Sequence, residues 1–167
     1  MITEAAGLTG IKIKTAHDIQ ATGPHEAVDR YLIDSADSGG LIALVEHQLA
    51  PRVLAAPVHR HSREDEYSLV LEGRLGVFQD GAEVFAEPGE LVFKPRGHWH
   101  TFWNAGDERL RVLEYIAPGG LEGLFRRLGE PGGEYDPETL PILAADYGCE
   151  VDFVRTMPLV ERHGLVF

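Results

Sequence analysis

An all-β sandwich or barrel with short C-terminal helices is the architecture this sequence predicts, on three observations. Short apolar runs separated by turn residues recur between Gly40 and Pro118 at the spacing of a multi-stranded β-fold, with no helical pattern among them. The 19 glycines and 10 prolines suit a chain that turns often. Beyond Pro118-Gly119-Gly120 the apolar residues fall into helical spacing instead.

The elements follow in order. Residues 1–27 alternate loosely and read as an N-terminal arm, with Gly10–Lys14 a candidate edge strand whose lysines face outward. A barrel domain is expected over residues 28–118. Asp29–Asp34 reads as a strand, Ser35–Gly40 as a turn, and Gly40–Leu49 as a long strand ended by Pro51. Pro57 precedes a histidine-rich strand that starts at His59, and Glu66 opens the apolar run leading to Gly73. Arg74–Gln79 and Ala82–Ala86 flank Asp80-Gly81 at the spacing of a tight hairpin. Glu87–Glu90 leads into Leu91–Lys94, Pro95-Arg96-Gly97 into His98–Asn104, and Ala105–Glu108 into Arg109–Ile116.

A helical extension over residues 119–167 is expected to pack on the barrel. Leu121, Leu124, Phe125 and Leu128 share one helix face, with Gly129 just beyond. Asp136-Pro137-Glu138 opens a second helix that carries Leu140, Leu143, Ala144 and Tyr147 up to Gly148, although Pro141 disturbs its first turn. Pro158 opens a third, stopped by Gly164.

Composition narrows the functional classes. A net charge of -12 and a pI near 5.0 repel phosphate backbones and anionic bilayers, so neither nucleic acid nor membrane is expected as a partner. No signal-peptide pattern and no run of about 18 apolar residues is present, and Cys149 stands alone, which excludes an internal disulfide and multi-thiolate metal sites. A cytoplasmic protein is the expectation.

His59 and His61 are two apart, so on a strand both imidazoles face one way, and Glu66 follows on the neighbouring strand. Such a cluster asks for a fourth donor. The first block, His59, His61, Glu66 and Gly73, is followed by a second of Gly89, Pro95-Arg96-Gly97, His100 and Asn104. Together, across residues 40–117, these two blocks resemble the paired motifs of a single-domain cupin of the quercetin dioxygenase-like kind. The resemblance implies a double-stranded β-helix, or jelly-roll barrel. It also implies that His59, His61, Glu66 and His100 ligate one divalent transition metal ion, Fe, Mn, Ni, Co, Cu or Zn, since three imidazoles and a carboxylate do not select among these. Glu66 would then be both ligand and general base toward a substrate hydroxyl.

The remaining polar residues divide by strand parity. His100, Phe102 and Asn104 share one face of their strand, Trp99, Thr101 and Trp103 the other; Glu66, Ser68 and Val70 face inward on theirs. His98 reads as a rim histidine, His47 as either a pocket or a core histidine, Glu114 as an exposed edge glutamate or a cavity residue, and Cys149 as a small buried residue. The outward faces of Trp99 and Trp103, and of Tyr67, Leu69 and Leu71, need cover from the C-terminal helices or from a second subunit, and a homodimer is expected. The functional expectation is a dioxygenase acting on a small flavonol, enediol or diketone-like substrate. The alternatives are a non-oxidative isomerase, cyclase or lyase using the metal as Lewis acid, or a small-molecule binder without activity.

Overall fold

A computed structural model describes residues 3–4, 12–130 and 136–166 of the chain. The first strands are β1 (Thr3–Glu4), β2 (Lys12–Ile13), β3 (Gln20–Thr22), β4 (Ala27–Ile33) and β5 (Ala43–Leu49). The histidine-rich strand is β6 (His59–His61), followed by β7 (Asp65–Glu72), β8 (Leu75–Gln79), β9 (Ala82–Ala86), β10 (Leu91–Lys94), β11 (His100–Asn104) and β12 (Leu110–Ala117). Helices α1 (Glu122–Gly129) and α2 (Leu140–Ala145), strand β13 (Cys149–Val151) and helix α3 (Phe153–His163) complete the order. Of the candidate edge strand at Gly10–Lys14, residues 10 and 11 lie outside the described residues, and Lys12–Ile13 pairs with Thr3–Glu4.

Two antiparallel sheets face one another as a jelly roll. One has the order β10-β7-β12-β5-β4-β3, the other β13-β6-β11-β8-β9. From β5 to β8 and again from β9 to β13 successive strands alternate between the two sheets, whereas β3–β5 and the β8–β9 hairpin each stay within one. The sequence set His59, His61 and Glu66 on neighbouring strands; the structure places β6 and β7 on facing sheets, because residues 62–64 cross between the layers instead of closing a hairpin. The crossing is held by backbone hydrogen bonds from Ser62 to the Gly148 carbonyl and from Gly97 to the His61 carbonyl.

Alternation drives the packing. Leu49, Val70, Leu75, Val77, Leu110 and Val112 fill the space between the sheets. Asn104 fixes the corner after β11: its amide donates to the carbonyls of Leu49 (2.9 Å) and Glu108 (2.7 Å), and its oxygen accepts from the Gly106 amide (2.9 Å). Gly73 turns the chain at φ +79°, where a Cβ would also lie 2.8 Å from the Arg109 carbonyl oxygen.

The two outward apolar faces meet different fates. Trp103 is buried beneath Leu159 and Leu165, the latter just after α3, and its ring seats against Gly76, where a Cβ would come within 2.3 Å. Trp99 lies under the guanidinium groups of Arg60 and Arg155, 4.7 and 5.2 Å from its centroid. Across β10, β7 and β12 no such cover exists among the described residues: Tyr67 stacks on Phe93 at 4.8 Å, and Leu91, Phe93 and Tyr115 are exposed beside them.

Two readings of the C-terminal region change. The segment 136–139 forms a turn, and α2 starts only at Leu140, with Pro141 accommodated in its first turn where no amide donor is needed. Helix α3 begins at Phe153 and not at Pro158, because the Asp152 side chain accepts from the Arg155 amide as its N-cap. Pro158 lies inside the helix on the flank of the solvent-exposed Val154. Cys149–Val151, just past the helix end expected at Gly148, forms a short strand paired with β6, with Cys149 buried as expected. No helix among the described residues is long and apolar enough to cross a membrane.

Candidate metal centre and cavity

Pairing between β6 and β11 puts His100 opposite His59, and parity places His61 on the same inward face. Glu66 reaches them from the other sheet. One donor atom from each of His59, His61, Glu66 and His100 lies within 4.8 Å of every other, a set that could hold a metal ion. All four residues expected from the sequence are thus together.

The outer nitrogens of two rings are already committed. The Nδ1 of His59 lies 2.7 Å from the Pro57 carbonyl, and that of His100 lies 3.0 Å from the His98 carbonyl. A carbonyl only accepts, so each Nδ1 carries its proton and each Nε2 is turned to the centre, that of His100 lying 3.0 Å from Glu66 Oε2. His61 has no hydrogen-bond partner for either buried nitrogen among the described residues; its Nε2 lies 3.5 Å from Glu66 Oε1. Three convergent imidazole nitrogens and a carboxylate in a buried cluster are the donor chemistry a divalent ion takes in exchange for protons, so the residues fit.

Charge in the centre is arranged pairwise. Burial, reinforced by His100 and His61, holds the His59 imidazole well below its usual range. Burial alone would raise the Glu66 carboxyl, but Lys94, His61 and His100 outweigh it and hold it well below the usual carboxylate range. The same carboxylate overcomes the burial of His61 and draws that imidazole up to about 10.

Lys94 was not anticipated from the sequence. Its ammonium, fully buried, lies 3.2 Å from Glu66 Oε2 and 2.8 Å from Glu114 Oε1, at angles too skewed for hydrogen bonds, and 4.6 Å above the Phe102 ring. Glu114 is not an exposed edge residue: it is buried, and it accepts a 2.6 Å hydrogen bond from the Ser68 hydroxyl. Inward parity on β10 and β12, together with the opposite charges, was the signal available. His98 stays outside the centre, half-exposed and bonded to Asp80.

A cavity of about 650 Å³ opens beside His59, His61 and Glu66. Its walls are apolar: Leu49, Val53 and Phe102 come from the barrel, Leu124, Phe125 and Leu128 from α1, and Leu140 and Ala144 from α2. His47, also on the wall, is buried between the rings of Phe102 and Phe125, each 5.5 Å away, with its Nδ1 2.7 Å from Asp29 Oδ1. Burial disfavours its imidazolium, yet Asp29 prevails and raises it above the ordinary histidine value. Such a volume accommodates a multi-ring organic molecule.

These features agree with comparisons to known proteins. The profile of the Cupin domain matches residues 45–116. The tetracenomycin polyketide synthase protein TcmJ of Streptomyces glaucescens is 33% identical over 90 residues, 53% of this chain and 60% of that protein. Quercetin 2,3-dioxygenase of Bacillus subtilis is 29% identical over 73 residues, 44% of this chain and 21% of that protein. The chain therefore spans less than two thirds of either curated relative. Among solved structures, the polyketide cyclase RemF from Streptomyces resistomycificus superposes with a TM-score of 0.54 and 31% identity, over 64% of this chain and 79% of that one.

Proposed function

The chain belongs to the cupin family, and on that premise we propose that it is a metal-dependent enzyme that closes rings in an oxygenated polyketide-like substrate. The observation that carries this reading is the cavity: a largely apolar chamber of about 650 Å³ with the metal-binding cluster on its wall suits a poly-β-ketone or partly formed aromatic that must be folded away from water. A divalent ion held by His59, His61, Glu66 and His100 would supply Lewis acidity, favouring an ionised enol or phenol. Glu66 would take the proton of the substrate hydroxyl on a carboxylate oxygen. Lys94 would hold that carboxylate in place, and Phe102, Leu124 and Phe125 would press the chain into the folded shape from which an enol carbon attacks a ketone carbon of the same molecule, water being lost afterwards. The similarity to the polyketide cyclase supports ring closure.

A second reading, dioxygenation of a flavonol-like substrate, is favoured by the similarity to quercetin 2,3-dioxygenase, 29% identical over 73 residues. Oxygen separates the two. Protein restored with Zn(II), a redox-inert ion, should convert poly-β-ketones under argon as fast as in air. Oxygen uptake matching turnover on flavonols, with activity abolished under argon, would replace ring closure by dioxygenation.

The open face of β10, β7 and β12 we assign to a subunit interface of the expected homodimer, with Leu91, Phe93 and Tyr115 at its centre. Sedimentation should find a dimer in the wild type and a monomer in Leu91→Arg/Tyr115→Arg; a monomeric wild type would refute the assignment.

A further inference from the structure

We infer that His47 and Asp29 form a second anchor for the substrate, binding a phenolic hydroxyl at the end of the molecule remote from the metal-binding cluster. The inference rests on the reading of the cavity as a site for an oxygenated multi-ring substrate. Of the wall's side chains, His47 combines burial with an open valence. His47 lines the cavity; its Nδ1 is taken by Asp29, while its buried Nε2 has no hydrogen-bond partner among the described residues. A buried polar nitrogen left unpaired is costly, and such a group persists where a ligand completes it.

The fold also sets the right separation. Glu66 is in register with Ile116 on β12, and Ile116 with Ala43 on β5. His47 lies four positions further along β5, in register with Val112. At about 3.3 Å per residue and about 4.8 Å per strand, the α-carbons of Glu66 and His47 are roughly 16 Å apart along the sheet. Both side chains point inward, so the span between them is that of an elongated aromatic with oxygens at both ends. Phe102 lies beside this path, its ring 5.5 Å from that of His47 and 4.6 Å from the Lys94 ammonium, and offers ring stacking, while Glu114 and Ser68 in the row between are bonded to each other.

The chemistry of the pair selects a hydroxyl. Asp29 accepts the Nδ1 proton and fixes the ring, so neutral His47 accepts a hydrogen bond at Nε2 from a phenol, and protonated His47 donates one to a phenolate. A hydroxyl satisfies the nitrogen in either state, whereas a methoxy or bare ring edge leaves the neutral form unpaired.

A pair of flavonols that differ at one position makes the test. 3-Hydroxyflavone carries the chelating hydroxyketone alone; 3,4′-dihydroxyflavone adds one hydroxyl at the far end. Binding to Zn(II)-loaded protein is followed by flavonol fluorescence. The wild type should bind the dihydroxy compound about tenfold more tightly, the usual worth of a buried hydrogen bond. His47→Phe should erase that preference while leaving the affinity for 3-hydroxyflavone in place, which also reports that the variant is folded; Asp29→Asn, on the partly exposed side of the pair, should reduce the preference and serves if His47→Phe does not fold. Equal binding of both flavonols by the wild type, or a preference that survives in both variants, overturns the anchor while leaving the metal site standing. Failure of 3-hydroxyflavone to bind wild-type protein that holds Zn(II) overturns the reading of the cavity itself, and the anchor with it.

Discussion

His100→Ala should lose stoichiometric metal. The four donors are preset, two of them by carbonyls that fix which nitrogen faces the centre, so removal of one imidazole leaves a hole that neither neighbouring ring can swing to fill. Loss of a partner that merely orients a ligand typically costs up to about a hundredfold in affinity, and loss of the ligand itself should exceed that. Competition against a chelator, with metal content measured on the same samples, gives the number. The fold should survive, because the core between the sheets does not depend on the cluster. Wild-type protein should therefore gain thermal stability on addition of Zn(II), and the variant should gain none, since only an ion bound by the native state raises the melting point. A His100→Ala protein that keeps one tightly held ion per chain would show that the assigned donors are not the site.

The second large effect is on stability. Lys94→Met removes a fully buried ammonium that sits between Glu66 and Glu114 and leaves two carboxylates facing each other in a dry interior. Breaking a buried ion pair from one side costs about 3–5 kcal/mol, mostly as the penalty of the charge left behind. Denaturant unfolding of the metal-free protein should show a loss of that order. Adding Glu114→Gln to the same protein should recover a good part of it, because the second carboxylate is then neutral and can still accept from Ser68. A loss of under about 1 kcal/mol in the single variant, with no recovery in the double, would mean that Lys94 is not the electrostatic keystone of the interior.

How far the sequence carried these conclusions depends on the kind of signal each rests on. Strands β5, β7, β11 and β12 were legible because their alternation is long enough to have a phase, and that phase put Glu66, His100, Phe102 and Asn104 on the inner face where the structure has them. The full donor set was legible through the resemblance of its two motif blocks to the family pattern; alternation alone gave His59 and His61 a common face. What the sequence hid was set by register between distant strands. Lys94 meets Glu66 only through the pairing of β10 with β7, and Asp29 meets His47 only through the pairing of β4 with β5. A lysine at the end of a four-residue strand otherwise reads as an exposed terminus. Short elements fail for a related reason: three residues at Cys149–Val151 show no period, so β13 could be found only by its partner.

That small strand bears on where a working unit ends. Strand β6, which presents His59 and His61, is itself only three residues long and is flanked by β11 on one side and β13 on the other. The segment matching the family, residues 45–116, contains the first of these flanks but not the second. Cut to that length, the chain would leave the outer backbone of β6 as a bare sheet margin, open to water and to stray strands, at the very place where two imidazoles must be aimed. The tail beyond residue 148 is thus a selvedge, the woven border that keeps the working strand from unravelling.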